Sequence, residues 1–188
     1  MKDMVDVLPP ETYEIINIKS PEYVRNEEWE ATKQFVEDHR LEQHSKGPEI
    51  AKISKGYRKV VLVVHYTEQI DELRKTLSKE RETFVLDGRT KDAHATIMAA
   101  EESPECYFIV QSSVGAGFEL HSFSCMIFVS QAYSVRNYVQ MKARIRRISS
   151  LKPVIYYTLL GGRCDKMVYK SIQEGRDFVP SEYLTLAA

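Results

Sequence analysis

Lys59-Val60-Val61-Leu62-Val63-Val64-His65 is the stretch that decides the fold. It is apolar and largely β-branched. It lacks the alternation of a strand with one wet face, so it predicts a strand covered on both sides. Working outward, the chain switches between two periods. Thr67 reads as a helix cap, with Ile70, Leu73, Arg74 and Leu77 at helical spacing behind it. Residues 83–86 predict a second strand ending in the turn Asp87-Gly88, and a helix follows over about 91–101, stopped before Pro104. Residues 106–110 predict a third strand, running into Ser112-Ser113-Val114-Gly115-Ala116-Gly117. Residues 125–129 and 153–160 predict two more, the last followed by Gly161-Gly162 and a closing helix over about 165–175. Strand–helix alternation with buried strands implies an α/β fold: a parallel sheet of five to six strands with helices on both faces. In such sheets ligands bind at the carboxyl ends of the strands, so the turns after the first three strands should gather on one edge.

Ahead of this alternation, residues 1–57 form a lead-in segment expected to pack on the domain at 58–178, with 179–188 as a tail. Leu8-Pro9-Pro10 breaks structure, 13–18 alternates like a short strand, and 22–44 carries a helical pattern with Trp29, Phe35, Val36 and Leu41. Residues 45–48 interrupt it before another short helix.

The net charge of −1 conceals an asymmetry. Residues 1–50 hold twelve acids against six lysines and arginines, whereas no acid lies between Glu119 and Asp165, where Arg136, Lys142, Arg144, Arg146, Arg147, Lys152 and Arg163 stand. Such a block suits a polyanionic partner, nucleotide or nucleic acid; a solvated basic surface is the other reading. Apolar runs such as 60–64 are too short to span a bilayer, and no secretory leader pattern is present, so no membrane partner and a cytoplasmic setting are expected. Cys106, Cys125 and Cys164 lie far apart without metal-ligand spacing and read as core residues of a reducing compartment.

Within the basic block, 140–148 reads Gln-Met-Lys-Ala-Arg-Ile-Arg-Arg-Ile. On a continuous helix Arg136, Gln140, Arg144 and Arg147 fall within an arc of roughly 80°, with Tyr138, Met141, Ile145 and Ile148 opposite. Arginines held on one face can grip phosphate. The glycine turn at 112–117 could cradle an anion with backbone amides, although a structural turn reads equally well. Glu119 could accept from ribose hydroxyls or be a loop carboxylate. Asp87-Gly88-Arg89-Thr90 combines a turn, a cation and a cap, suited to one phosphate at a helix N-terminus or to an ordinary turn. His65 and Tyr66 could stack on a base or form a buried pair. There is no Gly-x-x-x-x-Gly-Lys-Ser/Thr loop, no acidic pair after a buried strand to hold magnesium, and no nucleophile elbow. The glycine fingerprint of a dinucleotide-binding enzyme is incomplete. The chain carries phosphate-gripping parts without a catalytic base.

These residues, in order, resemble the second (C-terminal) RecA-like domain of superfamily 2 helicases, most of all the Swi/Snf-type DNA translocases, with a small bacterial or phage member suggested by the short connections. Lys59–Tyr66 is similar to helicase motif IV, Leu86-Asp87-Gly88 to the family's Leu-Asp-Gly turn, Ser112–Leu120 to motif V with Gly115 and Gly117 in its glycine positions, and Gln140–Arg147 to motif VI. Val154–Leu160 with Gly162 and Asp165 is similar to the last strand and helix. The sequence departs from the pattern at Gln111, often threonine; at Glu119, asparagine or aspartate in relatives; and at Arg146, often histidine. The resemblance implies a RecA-like fold and the C-terminal motor half of an ATP-dependent DNA helicase or translocase. Arg144 and Arg147 would be arginine fingers on ATP, with Gln140, Gly117 and Glu119 near the nucleotide. His65, Tyr66, Gly88, Arg89, Thr90, Ser112, Ser113 and Gly115 would lie along one nucleic-acid strand, DNA before RNA. It further implies ATP and Mg2+ bound only with the N-terminal RecA-like domain as partner, and no ATPase from this chain alone. The rival is a stand-alone α/β module that docks nucleic acid or protein on its basic face.

Overall fold

The apolar run becomes β2 (Lys59–Val64), one of the two innermost strands of a six-stranded sheet. The computed structural model describes residues 8–114, 117–147 and 152–186. Around β2 stand β1 (Glu11–Asn17), β3 (Glu82–Leu86), β4 (Cys106–Gln111), β5 (Cys125–Phe128) and β6 (Val154–Leu160), in the order β1-β6-β5-β2-β4-β3. Every pairing is parallel, with Val61 opposite Phe108 on one side and Met126 on the other. The expected parallel α/β sheet is therefore what forms, with the alternating segment at the chain's start supplying its sixth strand.

Parallel strands need crossovers, and the helices between them cover both faces. Because side chains alternate along a strand, β2 feeds two cores at once. Val61 and Val63 pack with Phe108, Phe128, Met141, Val168 and Ile172 under α5 (Val135–Lys142) and α6 (Arg163–Gln173), where Phe35 of α1 (Ala31–Gln43) joins them. Val60, Leu62 and Val64 pack with Ile50 of α2 (Gly47–Ser54) and with Ile70, Leu73 and Leu77 of α3 (Thr67–Leu77). Val60 to Val64 are all essentially inaccessible to solvent. Each such side chain contributes about 1.5–3 kcal/mol relative to exposure. A polar residue anywhere in the run would meet one core or the other. The fold closes with α4 (Ala93–Glu102) between β3 and β4, and with a 3-10 turn (Pro180–Glu182) and α7 (Tyr183–Leu186) against α1.

Three local expectations fail for identifiable reasons. Thr67 does not cap α3: the cap position is Tyr66, without a side-chain hydrogen bond. Helical pattern is present from 22, but α1 begins only at Ala31. Before it, Gln34 reaches back to the Val24 carbonyl and accepts from the Asn26 amide, holding that segment as an irregular strap. Finally, α5 stops at Lys142 and does not carry Arg144 and Arg147. Tertiary partners take the carbonyls that a further turn would use. The Tyr156 hydroxyl donates to the Lys142 carbonyl at 2.7 Å and the Leu120 amide to the Arg144 carbonyl at 2.9 Å.

Candidate nucleotide and nucleic-acid faces

Since α5 runs antiparallel to the strands, its two ends lie on opposite edges of the sheet, and the candidate residues divide between them. The carboxyl edge gathers the turns after β2, β3 and β4. His65 Nδ1 lies 3.0 Å from the Ser112 hydroxyl, and the His65 amide donates to Ser130. The His65 ring packs 4.4 Å from that of Tyr133, just ahead of α5. Burial, with His39 nearby, pushes the His65 pKa down to about 4, so the ring is neutral at physiological pH. Tyr66 turns inward: its hydroxyl sits between Tyr133 and His39 Nδ1, at 2.8 and 2.6 Å. Ser113 is exposed beside this cluster, and the Gly88 amide donates to Gln111. Gly115 lies outside the described residues.

Asp87-Gly88-Arg89-Thr90 is not the helix N-terminus that its composition suggests. The cap of α4 is Asp92, whose carboxylate accepts from the Ala95 amide. Thr90 instead ties the turn together, accepting from the Asp87 amide and donating to the Val85 carbonyl. Arg89 is paired with both Asp71 and Asp87 at 2.8 and 2.6 Å. Its hydrogen bonds hold the Asp71 carboxyl low; they do the same for Asp87, outweighing the opposing effect of burial. Any phosphate arriving here would have to compete with two carboxylates.

The arginines lie at the amino edge. Arg146 donates to the Pro9 carbonyl and pairs with Glu11, the first residue of β1, at 3.2 Å. Arg144 and Arg147 meet instead the loop that descends from β4 towards β5. Arg144 donates to the Phe118 carbonyl at 3.1 Å and stacks over its ring. It is only 8% exposed, and burial, with Arg147 beside it, lowers its pKa. Arg147 is half-buried and pairs with Glu119 at 3.1 Å, and His121 approaches the other Glu119 oxygen at 3.1 Å. The one-face arrangement of Arg136, Gln140, Arg144 and Arg147 is thus corrected. Arg136 and Gln140 stand on α5, Arg144 lies beneath the loop, and Arg147 lies at its rim. Of the opposite face, Tyr138, Met141 and Ile145 are buried as their spacing predicts, and Ile148 lies outside the described residues. Gly117 and Gly88 have ordinary backbone angles, and a side chain at either would meet nothing closer than 4.0 Å. Among the described residues nothing requires glycine at either position.

A third cluster has no counterpart in the expectations. Beneath the carboxyl edge, Asp165 of α6 accepts from His39 Nε2 at 2.8 Å and pairs with Lys46 at 2.5 Å, while its second oxygen also takes the Gly161 amide at 2.7 Å. Lys46 donates to the Val129 carbonyl as well. Glu42 receives the amides of Cys164 and Asp165, capping α6, and the Tyr23 hydroxyl. Burial would raise the Asp165 pKa, but Lys46 and His39 outweigh it and hold the carboxyl well below its usual range. His39, Glu42 and Asp165 have the spacing of metal ligands, all within 4.8 Å. Lys46 already supplies the positive charge, so the cluster does not fit a divalent cation. Gly161 and Gly162 are required here, because a Cβ on either would collide with Glu42, and on Gly162 also with Tyr23. The available signal was the polar stripe Asp38, His39, Glu42 and Lys46 at helical spacing, where a buried face would ordinarily be apolar.

Residues 46–149 match the model of the helicase conserved C-terminal domain. Among solved structures, the C-terminal part of the Fun30 ATPase domain aligns with a TM-score of 0.60 at 21% identity, covering 74% of this chain and 48% of that one. The chain thus spans about half the length of that relative, which shares its fold. No curated protein matches it. Among the described residues no helix is long and apolar enough to cross a membrane.

Proposed function

Since the chain belongs to the helicase conserved C-terminal domain family, with that family's RecA-like α/β fold, we propose that it is the C-terminal motor half of an ATP-dependent DNA translocase of Swi/Snf type. The observation that carries this reading is the joining of two separate motifs at the amino edge: the post-β4 loop and the post-α5 arginines share three contacts, Phe118–Arg144, Glu119–Arg147 and Leu120–Arg144. A loop that senses ligand and an arginine that contacts it would move as one piece.

In this reading Arg147 presents its guanidinium to the γ-phosphate of ATP held across the cleft, and Arg144 supports it from below. A planar, permanently charged guanidinium stabilises charge spreading over equatorial phosphate oxygens. Bound ATP supplies the phosphoryl group whose transfer powers the cycle. The described residues fit only its phosphate end. They include no open acidic set for magnesium, since the one candidate cluster is filled by Lys46. Magnesium and the attacking water would therefore be held by the N-terminal RecA-like partner domain. At the other edge, the exposed Ser113 would contact a backbone phosphate of one strand, with the buried Ser112 and the neutral His65 behind it, positioning the strand without reading sequence. The solved relative of the same fold is itself part of an ATPase domain, which supports this assignment.

The test is Arg147→Ala in a protein carrying both motor domains. ATPase should fall about a thousandfold with nucleic-acid binding retained. Retained ATPase with lost binding would favour a plain binding module. Magnesium-dependent ATPase from the 188-residue chain alone would sink the half-site reading.

A further inference from the structure

Glu119 departs from the residue types expected at its position, and the structure gives it a partner that a ribose-contacting residue would not need. One carboxylate oxygen lies 3.1 Å from Arg147 Nη2 and the other 3.1 Å from His121 Nε2. The carboxylate is thus drawn between two groups that can carry positive charge. Meanwhile the Arg147 Nε is buried and without a hydrogen-bond partner among the described residues. A guanidinium has five N–H donors in a fixed fork, and this one is only partly used. The carboxylate offers two oxygens in a plane, as one face of a phosphoryl group does.

We propose that Glu119 is an internal anion that occupies Arg147 in place of phosphate, and that a polyphosphate must displace it before the arginine can act. This rests on Arg147 being the phosphate-contacting arginine. The exchange is feasible because both partners are partly exposed, Glu119 at 46% and Arg147 at 34% of the side chain. An exposed pair of this kind contributes little in water and is screened by salt. By contrast, Arg144 is locked under Phe118 and has no comparable freedom. Displaced from Arg147, the Glu119 carboxylate still has His121 beside it and is not left without a partner. The pair would keep a half-assembled site from holding stray phosphates.

The experiment uses the full 188-residue chain and inorganic tripolyphosphate at low ionic strength, followed by calorimetry and by the arginine Nε–Hε resonances. Glu119→Gln, nearly isosteric and partly exposed, should tighten tripolyphosphate binding by about three- to tenfold. The gain should vanish in Glu119→Gln combined with Arg147→Ala, and Glu27→Gln, which frees a surface arginine elsewhere, should give none. Equal or weaker binding by Glu119→Gln overturns the proposal, as does a gain that survives loss of Arg147. If Arg147→Ala alone leaves wild-type affinity unchanged, the arginine assignment fails as well, which separates the two outcomes.

Discussion

Two clusters of charge in this molecule are made from the same kinds of side chain and behave oppositely. Around Asp165, a lysine, a histidine and a second carboxylate are fully buried, held by helix-terminal amides, tyrosines and the Val129 carbonyl. Around Glu119, one arginine and a histidine meet a carboxylate at the rim of the sheet, and in the proposed exchange that arginine changes partner. Burial makes the difference. In a low-dielectric interior a charge without its partner is costly, so that cluster works only as a permanent joint. At the surface the same pairing is weak enough to be exchanged, as the proposed motor role requires. The buried joint fastens α1 to α6, and through His39–Tyr66 it underlies the carboxyl edge.

The most severe test of this contrast is Asp165→Ala, which strands Lys46 in the core. Unfolding by denaturant should show a loss of about 3–5 kcal/mol, whereas an apolar pair, Asp165→Leu with Lys46→Met, should recover much of it. A loss below about 1 kcal/mol would mean that the joint is no joint. Next comes acid. His65 is held down at about 4, so the unfolded chain takes up its proton first, and stability should fall as pH drops from about 6.5 to about 4. Asp165 is depressed too, so its contribution, intact above about pH 4, is lost below that as pH falls towards its folded value. Thermal melts of His65→Gln across about pH 2–7 should lack the first slope and keep the second, which lies below about pH 4. Glu42→Gln puts an amide against the α6 N–H groups and should cost about 1–3 kcal/mol, read in the same melts. Smallest of all, Arg147→Ala should change stability by less than about 0.5 kcal/mol, despite its expected effect on turnover. A large stability loss there would erase the distinction between the clusters.

How far each feature could be read from the sequence follows from the range of the forces behind it. The five later strands and the helices between them follow from local apolar periodicity, and so does the buried side of α5 at Tyr138 and Met141. The end of α5 could not be read this way, because Tyr156 and Leu120, distant in sequence, compete for its last carbonyls. Likewise the stripe Asp38, His39, Glu42 looks solvated until α6 brings its amides and Asp165 against it.

By itself, then, the sequence determined the class of sheet, the burial of β2, and the presence of arginines and glycines in an order suited to phosphate. Those depend on side-chain character and spacing, which are written locally. Only the tertiary structure decided that the arginines lie on the opposite edge from His65 and Ser112, that Arg144 is buried while Arg147 is not, and that Glu119 is the carboxylate Arg147 holds. Such matters depend on which distant groups meet, and on how much water is left between them.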